Sequence, residues 1–307
     1  MNTFIKITEI WVLNKDRTHL ELKEGIYGEF TEFKAISENK QFAYHQGLPG
    51  KVWAKAEPIV IKKLQSPYYE RTEAAHKAGL TCAIGMPILA GEFLMAVVVF
   101  LCGADDDNAG AIEVWTNSLT KKNQLDVLDG YYGKLDHFAH ISKKTHFMKG
   151  EGLPGLVWQQ EQPVIIEDLA HTPNFMRSKE AKKSGLTKGL GLPIAMHPDK
   201  IFIMSFLSAQ TTPIAKRIQI WLPNKEHTLL NCQTTHGQEN NDLANLFEVQ
   251  NIKKGSGLMG RAWLTGVPVI GKSTINQDAS DPAAISSLLA IPITNKGILK
   301  SVVTFLF

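Results

Sequence analysis

The chain is short of cysteine, of arginine and of long apolar runs, and each shortage removes a class of protein. Three cysteines among 307 residues, Cys82, Cys102 and Cys232, cannot build the disulfide framework of a small secreted scaffold. They show neither paired nor metal-ligand spacing, and a thiol inside an apolar segment reads as a small core residue. The longest apolar stretch, Phe93 to Cys102, falls well short of the ~20 residues that cross a bilayer and suits a strand buried on both faces. The opening segment, MNTFIKITEIWVLNKDR, lacks the basic-then-apolar pattern of a secretion signal, so a cytoplasmic protein is expected. An excess of one charge is missing too. The 33 Lys and Arg against 30 Asp and Glu leave +3, with no electrostatic address for nucleic acid or a membrane surface. Only five of the basic residues are Arg, and the Lys-Lys pairs at 62–63, 121–122, 143–144, 182–183 and 253–254 form no stripe.

What is present is repetition. GLPGKVW at Gly47 to Trp53, GLPGLVW at Gly152 to Trp158 and GLMGRAW at Gly257 to Trp263 are spaced by 105 residues both times. Pro58, Pro163 and Pro268 each follow five residues after the Trp and lead an apolar stretch. Upstream, Trp11, Trp115 and Trp221 sit in short strand-like segments; downstream, Pro87, Pro193 and Pro292 each precede a Phe by 13 residues, at Phe100, Phe206 and Phe305. All six tryptophans fall on these two repeated positions. A period near 100 residues is a domain length, so three tandem domains are expected, at 1–103, 104–208 and 209–307. The first junction carries Asp105, Asp106 and Asp107, which lack the alternating spacing of a calcium loop and read as a solvated linker.

Each copy runs in the same order: a strand with the first Trp, a second strand, a glycine turn opening a short helix, a Pro-led strand, a helix such as RTEAAHKAGL, and a closing hairpin. Short turns at 90–92, 197–199 and 295–297 join the last two strands, which implies an α+β domain on an antiparallel sheet. The glycines permit positive φ, the Pro suits the first helical turn, and the Trp buries a large ring. A glycine turn opening a helix can also hold an anion; a plain strand-to-helix corner is the commoner use.

Copy two, GEGLPGLVWQQEQPVIIEDLAHTPNFMRSKEAKKSGLTKGLGLPI, resembles the GAF domain, in particular the group with a G-x-G-L-P-G-x-V-W block. Copy one matches with Tyr69 and Arg71 in place of Phe175 and Arg177. Copy three keeps its GLMG-R-A-W and IPI blocks but has 24 residues from Pro268 to Pro292, against 29 and 30, and has lost the Arg. The resemblance implies three antiparallel sheets, each with short helices over one face and a small-molecule pocket between sheet and helices. The long helices that usually flank a GAF domain are not expected between the copies, because the linkers are too short for them. The sheet faces they would cover must be polar, packed on each other, or packed on a partner. Alternation places Val98 and Phe100, Met204 and Phe206, and Val303, Phe305 and Phe307 on one wholly apolar face of the last strand. These back faces are expected to pack between domains or between chains. The first strand sets its Trp beside Glu9, Glu113 or Gln219 on a mixed face.

Arg71 and Arg177 hold equivalent positions, eight residues before the Gly-Leu that closes the helix. Arg pairs fork-like with carboxylate or phosphate, which fits either a bound ligand or a structural salt bridge. The ligand-binding candidates are Arg177, Phe175, Arg71 and Tyr69, with Gly152 and Gly155 of the turn. His137, His140 and His146 lack a Cys or carboxylate to complete a metal set, and no catalytic triad or carboxylate pair stands out. The expected function is a non-enzymatic sensor that binds an unidentified small molecule in domains 1 and/or 2, with domain 3 a structural or partner-binding cap. It would signal through a protein partner or a homo-oligomer formed by the uncovered sheet faces; a scaffold without ligand is the alternative.

Overall fold

Alternation along the Trp-bearing strands decides the architecture: Trp11, Trp115 and Trp221 face one way, and Ile10, Val114 and Ile220 the other. The computed structural model describes residues 3–65, 67–103, 109–117, 123–197, 199–237, 251–272 and 285–307, so the Asp105–Asp107 linker lies outside the described residues.

The first unit comprises β1 (Ile5–Leu13), β2 (His19–Ile26), α1 (Thr31–Glu38), β3 (Gln41–Ala43), α2 (Gly47–Lys55), β4 (Ile59–Ile61), α3 (Thr72–Lys77), β5 (Leu80–Ala90) and β6 (Phe93–Gly103). The second comprises β7 (Gly110–Asn117), β8 (Gln124–Tyr131), α4 (Asp136–Ser142), β9 (His146–Met148), α5 (Gly152–Gln160), β10 (Val164–Ile166), α6 (Ser178–Lys183), β11 (Lys188–His197) and β12 (Lys200–Ser208). The third comprises β13 (Arg217–Pro223), β14 (Leu229–Gly237), β15 (Ile252–Lys253), α7 (Gly257–Thr265), β16 (Val269–Lys272), β17 (Ser287–Asn295) and β18 (Ile298–Leu306). Each unit builds one six-stranded sheet, ordered β3-β2-β1-β6-β5-β4, and likewise β9-β8-β7-β12-β11-β10 and β15-β14-β13-β18-β17-β16. Every neighbouring pair is antiparallel. A register shift falls directly before the first Trp in all three, at Ile10/Trp11, Val114/Trp115 and Ile220/Trp221. An α+β chain of three like units is therefore what folds.

The helices cover one face of each sheet, the front. Leu48 and Val52 of α2 pack there with Trp11, Val97 and Val99, and Leu153 and Val157 of α5 pack with Trp115 and Ile203. The back faces meet one another inside a single chain. Phe100, Phe206 and Phe305, all fully buried, form a triangle with ring centroids 5.6, 6.2 and 6.3 Å apart. Met86, Leu192 and Ile291 on β5, β11 and β17 surround it in one apolar core shared by all three units. Of the two expected arrangements, packing between domains is the one present. These faces are covered from within, so a partner or a second copy would have to use another surface.

The units are arranged head to tail. Edge strand β4 of the first unit abuts β8 of the second, where Lys62 pairs with Asp129. Edge strand β16 of the third abuts β2 of the first, where Glu24 Oε2 accepts the Ile270 amide at 2.5 Å. A second set of contacts repeats the pattern. The β11–β12 turn reaches the first unit through Lys200 and Glu57, and the β17–β18 turn reaches the second through Asn295 Nδ2 to Glu161 Oε2 at 2.7 Å. In the third junction a Cβ built on Gly266 would lie 3.6 Å from Met95 Cε of β6. A heterologous contact that closes after three steps makes a ring.

Candidate functional site

The space between the front of each sheet and its helices, the front chamber, holds a Glu, a Ser and an Arg that converge in units one and two. In the first unit, β1 aims Glu9 at the front beside Trp11, α1 brings Ser37 over it, and Arg71 enters from the residue before α3. Arg71 grips the carboxylate with both ends of its fork: Nη1 to Oε1 at 2.5 Å and Nη2 to Oε2 at 2.8 Å. Nη1 also donates to Ser37 Oγ at 2.6 Å, and Ser37 in turn donates to the Phe33 carbonyl. Trp11 Nε1 (3.0 Å) and Tyr27 Oη (3.1 Å) donate to the same carboxylate. The guanidinium lies 4.7 Å from the Phe33 ring centre and 5.5 Å from those of Trp11 and Tyr69.

The second unit repeats the clasp without the tyrosine bond: Tyr132 Oη, unlike Tyr27, has no hydrogen-bond partner among the described residues. Arg177 meets Glu113 through Nη1–Oε1 at 2.5 Å and Nη2–Oε2 at 2.9 Å, and donates to Ser142 Oγ at 2.5 Å. Trp115 Nε1 donates to Glu113 Oε2 at 3.2 Å. Four rings surround the guanidinium, those of Phe138, Phe175, Trp115 and Phe147, at 4.7 to 5.5 Å. Arg177 Nε is buried without a partner.

A buried ion pair is stable only when the hydrogen bonds around it replace lost water; the fork, the serine and the tryptophan supply them in both clasps, while the second leaves Arg177 Nε unpaired. Burial pulls the Arg71 guanidinium down, but the Glu9 charge and hydrogen bond, together with Tyr69 and Tyr27, outweigh it and leave Arg71 above its ordinary value. The Tyr27 and Tyr69 hydroxyls are pushed up by burial first, with Glu9 adding to the effect. Tyr132, at the same place in unit two, is pushed up likewise by burial and Glu113.

The sequence-derived candidates Arg71 and Tyr69, and Arg177 and Phe175, are thus brought together in two chambers, and their nearest polar partners are Glu9 and Glu113. Gly152 and Gly155 stand apart from the clasp, at the start of α5. Gly152 has φ +58°, and a Cβ there would meet the Phe147 ring at 2.4 Å; one on Gly155 would meet the Met148 carbonyl oxygen at 2.2 Å. The turn needs glycine because α5 presses against β9. The first Trp of each unit is fully buried as framework, whereas Trp53 and Trp158 are only half-buried and Trp263 is buried. Among the described residues no group of three could hold a metal, and His146 is paired with Asp126. Cys82 and Cys102 are cross-strand partners in the shared back core, and burial pushes both thiols up.

Sequence reasoning set the glutamates beside the Trp but missed that they pair with the arginines. Glu9 and Glu113 stand two residues before the first Trp, and copy three has Gln219 there, in the copy that lacks the Arg. Acid and base vanish together, which was the available signal.

The third chamber is built differently. Gln219 Oε1 accepts from Thr304 Oγ1 at 3.2 Å, and Thr304 accepts from Trp221 Nε1 at 3.4 Å. Arg217 lies two residues before Gln219 on the same face, opposite Leu306, where the first two units carry Ile7 and Ala111. Both are buried, and among the described residues Arg217 Nη1 and Gln219 Nε2 have no hydrogen-bond partner. Burial draws the Arg217 guanidinium below its ordinary value.

No family model and no curated protein matches the chain. Solved structures overlap about one unit each. A free methionine-R-sulfoxide reductase from Neisseria meningitidis, in complex with its substrate, is 13% identical over 32% of this chain and 52% of its own, with a TM-score of 0.25. The A. aeolicus nlh2 GAF domain in an inactive state is 18% identical over 33% and 60%, at 0.27. The GAF domain of a Coxiella burnetii phosphoenolpyruvate-protein phosphotransferase is 15% identical over 32% and 56%, at 0.27. This chain therefore spans little more than half of those structures. Its three similar six-stranded sheets, each with the GLPG-type turn, are a tandem of GAF-like units.

Proposed function

We propose that the chain is a non-enzymatic regulatory protein that binds a small molecule in a front chamber and relays its occupancy around the ring to a protein partner. Its units divide at 103/104 and 208/209, and it works in the cytoplasm. The observation that carries this reading is the difference between chambers: two are held shut by an internal acid–base clasp, and the third has no clasp among its described residues. Arg71 and Arg177, with Tyr69 and Phe175, are the first ligand candidates by sequence. In this reading they hold the frame, and a ligand would reach them only by displacing Glu9 or Glu113.

Native mass spectrometry of the purified full chain, paired with thermal unfolding across a metabolite panel, tests it. One small molecule bound per chain, or one compound that raises the unfolding temperature, is expected. A bare mass with no thermal response leaves the second reading, a ligand-free scaffold. That reading is favoured by the clasps themselves, because they fill two chambers with the chain's own groups.

A further inference from the structure

We propose that the third unit binds the oxyanion of a small carboxylate or phosphate compound, through Arg217 and Gln219 on β13. This rests on the small-molecule reading above and names the ligand's chemistry.

In units one and two the sheet supplies the acid and the helix side supplies the base. In unit three the polarity is reversed. The sheet supplies a guanidinium and an amide, side by side on one face of one strand. Gln219 is fully buried and Arg217 is 6% exposed. Each keeps a donor, Nη1 and Nε2, that meets no acceptor among the described residues. A buried donor left unmade is unfavourable, and a buried guanidinium without a counter-charge more so. The fork of Arg matches the two oxygens of a carboxylate or phosphate. In this orientation of the amide Oε1 accepts from Thr304 Oγ1, and the NH2 end is the one left over. Were the amide turned round, the spare group would be an acceptor beside Arg217, and the strand would offer one donor in place of two. The missing partner is therefore an acceptor with negative charge, the counterpart of the carboxylate that Glu9 and Glu113 provide internally.

The scarcity of arginine makes the test clean, because five side-chain Nε–H signals are expected in a nitrogen-edited NMR spectrum of the full chain. The signal lost in Arg217→Met is assigned to Arg217. Acetate, succinate and inorganic phosphate are then titrated in separate arms, with chloride as the ionic-strength control. At least one oxyanion should move the Arg217 signal saturably, and the arm that saturates first tells carboxylate from phosphate. Gln219→Leu should weaken that binding roughly tenfold to a hundredfold, the range for one hydrogen bond to a charged group. Without ligand, Arg217→Met should unfold at a higher denaturant concentration than the wild type, since it removes an uncompensated buried charge.

An Arg217 signal indifferent to all three probes would overturn the proposal, as would unchanged affinity in Arg217→Met. So would a marked destabilisation of ligand-free Arg217→Met, which would show a carboxylate of the chain itself already on the guanidinium. A small molecule that native mass spectrometry finds equally on wild type and Arg217→Met would sink this inference and leave the regulatory reading standing.

Discussion

Arg177 and Glu113 lie 64 positions apart in sequence and meet through two parallel hydrogen bonds of 2.5 and 2.9 Å, sealed among aromatic rings. Arg71 and Glu9 do the same 62 positions apart. The pair ties the first strand of the unit to the start of its last helix, with Ser142 adding its first helix. Removing one partner leaves the other charged and buried. Arg177→Met should therefore destabilise the protein by about 3–5 kcal/mol. The double change Glu113→Gln with Arg177→Met, which removes both charges as in unit three, should recover most of that. Denaturant unfolding of the single and double variants measures both; a double variant no better than the single one would mean the pair is not a unit.

The phenyl triangle of Phe100, Phe206 and Phe305 is what holds the three back faces together. Phe206→Ala leaves a cavity where three sheets meet and should lose about 3–5 kcal/mol. The loss should be felt in all units. Hydrogen exchange should quicken on β5 and β17 as well as on β11 and β12; an effect confined to unit two would count against a common core.

The thiols give a pH-dependent signature. Cys82 and Cys102 are pushed up by burial, so the folded chain holds them protonated where an unfolded chain ionises them near pH 8.5. A group raised on folding contributes its stability fully below the unfolded value and loses it as pH climbs above that toward the folded one. The unfolding midpoint should thus fall from about pH 8.5 to 9.5, a window below the ordinary tyrosine range near 10. The fall should be smaller in a Cys82→Ala, Cys102→Ala variant. Ellman's reagent should reach the half-buried Cys232 first and the other two only on unfolding.

Two glycines separate crowding from backbone preference. A Cβ on Gly155 would sit 2.2 Å from the Met148 oxygen, whereas one on Gly185, at φ +69°, meets nothing within 4 Å. Gly155→Ala should lose about 1–3 kcal/mol as α5 is levered from β9. Gly185→Ala should lose less, from left-handed strain alone. Thermal melts of the two variants rank them.

Much of this fold is legible in the residues, and the reason is periodicity. Two tryptophan positions recur at near-constant spacing, and period-two alternation along the last strand sets Phe100, Phe206 and Phe305 on a face apart from the more mixed one that carries Ser205 and Thr304. What alternation cannot give is the partner of a face. The same apolar back surface would suit a second chain as well as a sister unit, and only the meeting of β5, β11 and β17 decides it. The clasp escaped for a related reason. A Glu beside a Trp marks a mixed face, and mixed faces usually look to water; Glu9 is buried because an Arg far along the chain comes to meet it.

Joining three copies in one chain has a consequence for how they can differ. In a ring of three separate identical subunits, any change at one chamber appears in all three. Here each chamber has its own stretch of sequence. The clasp can be exchanged for Gln219 and Arg217 in one chamber while Glu9 and Glu113 keep theirs. Three-fold geometry is kept without three-fold identity, so a protein whose outline is a trimer can carry a single odd place.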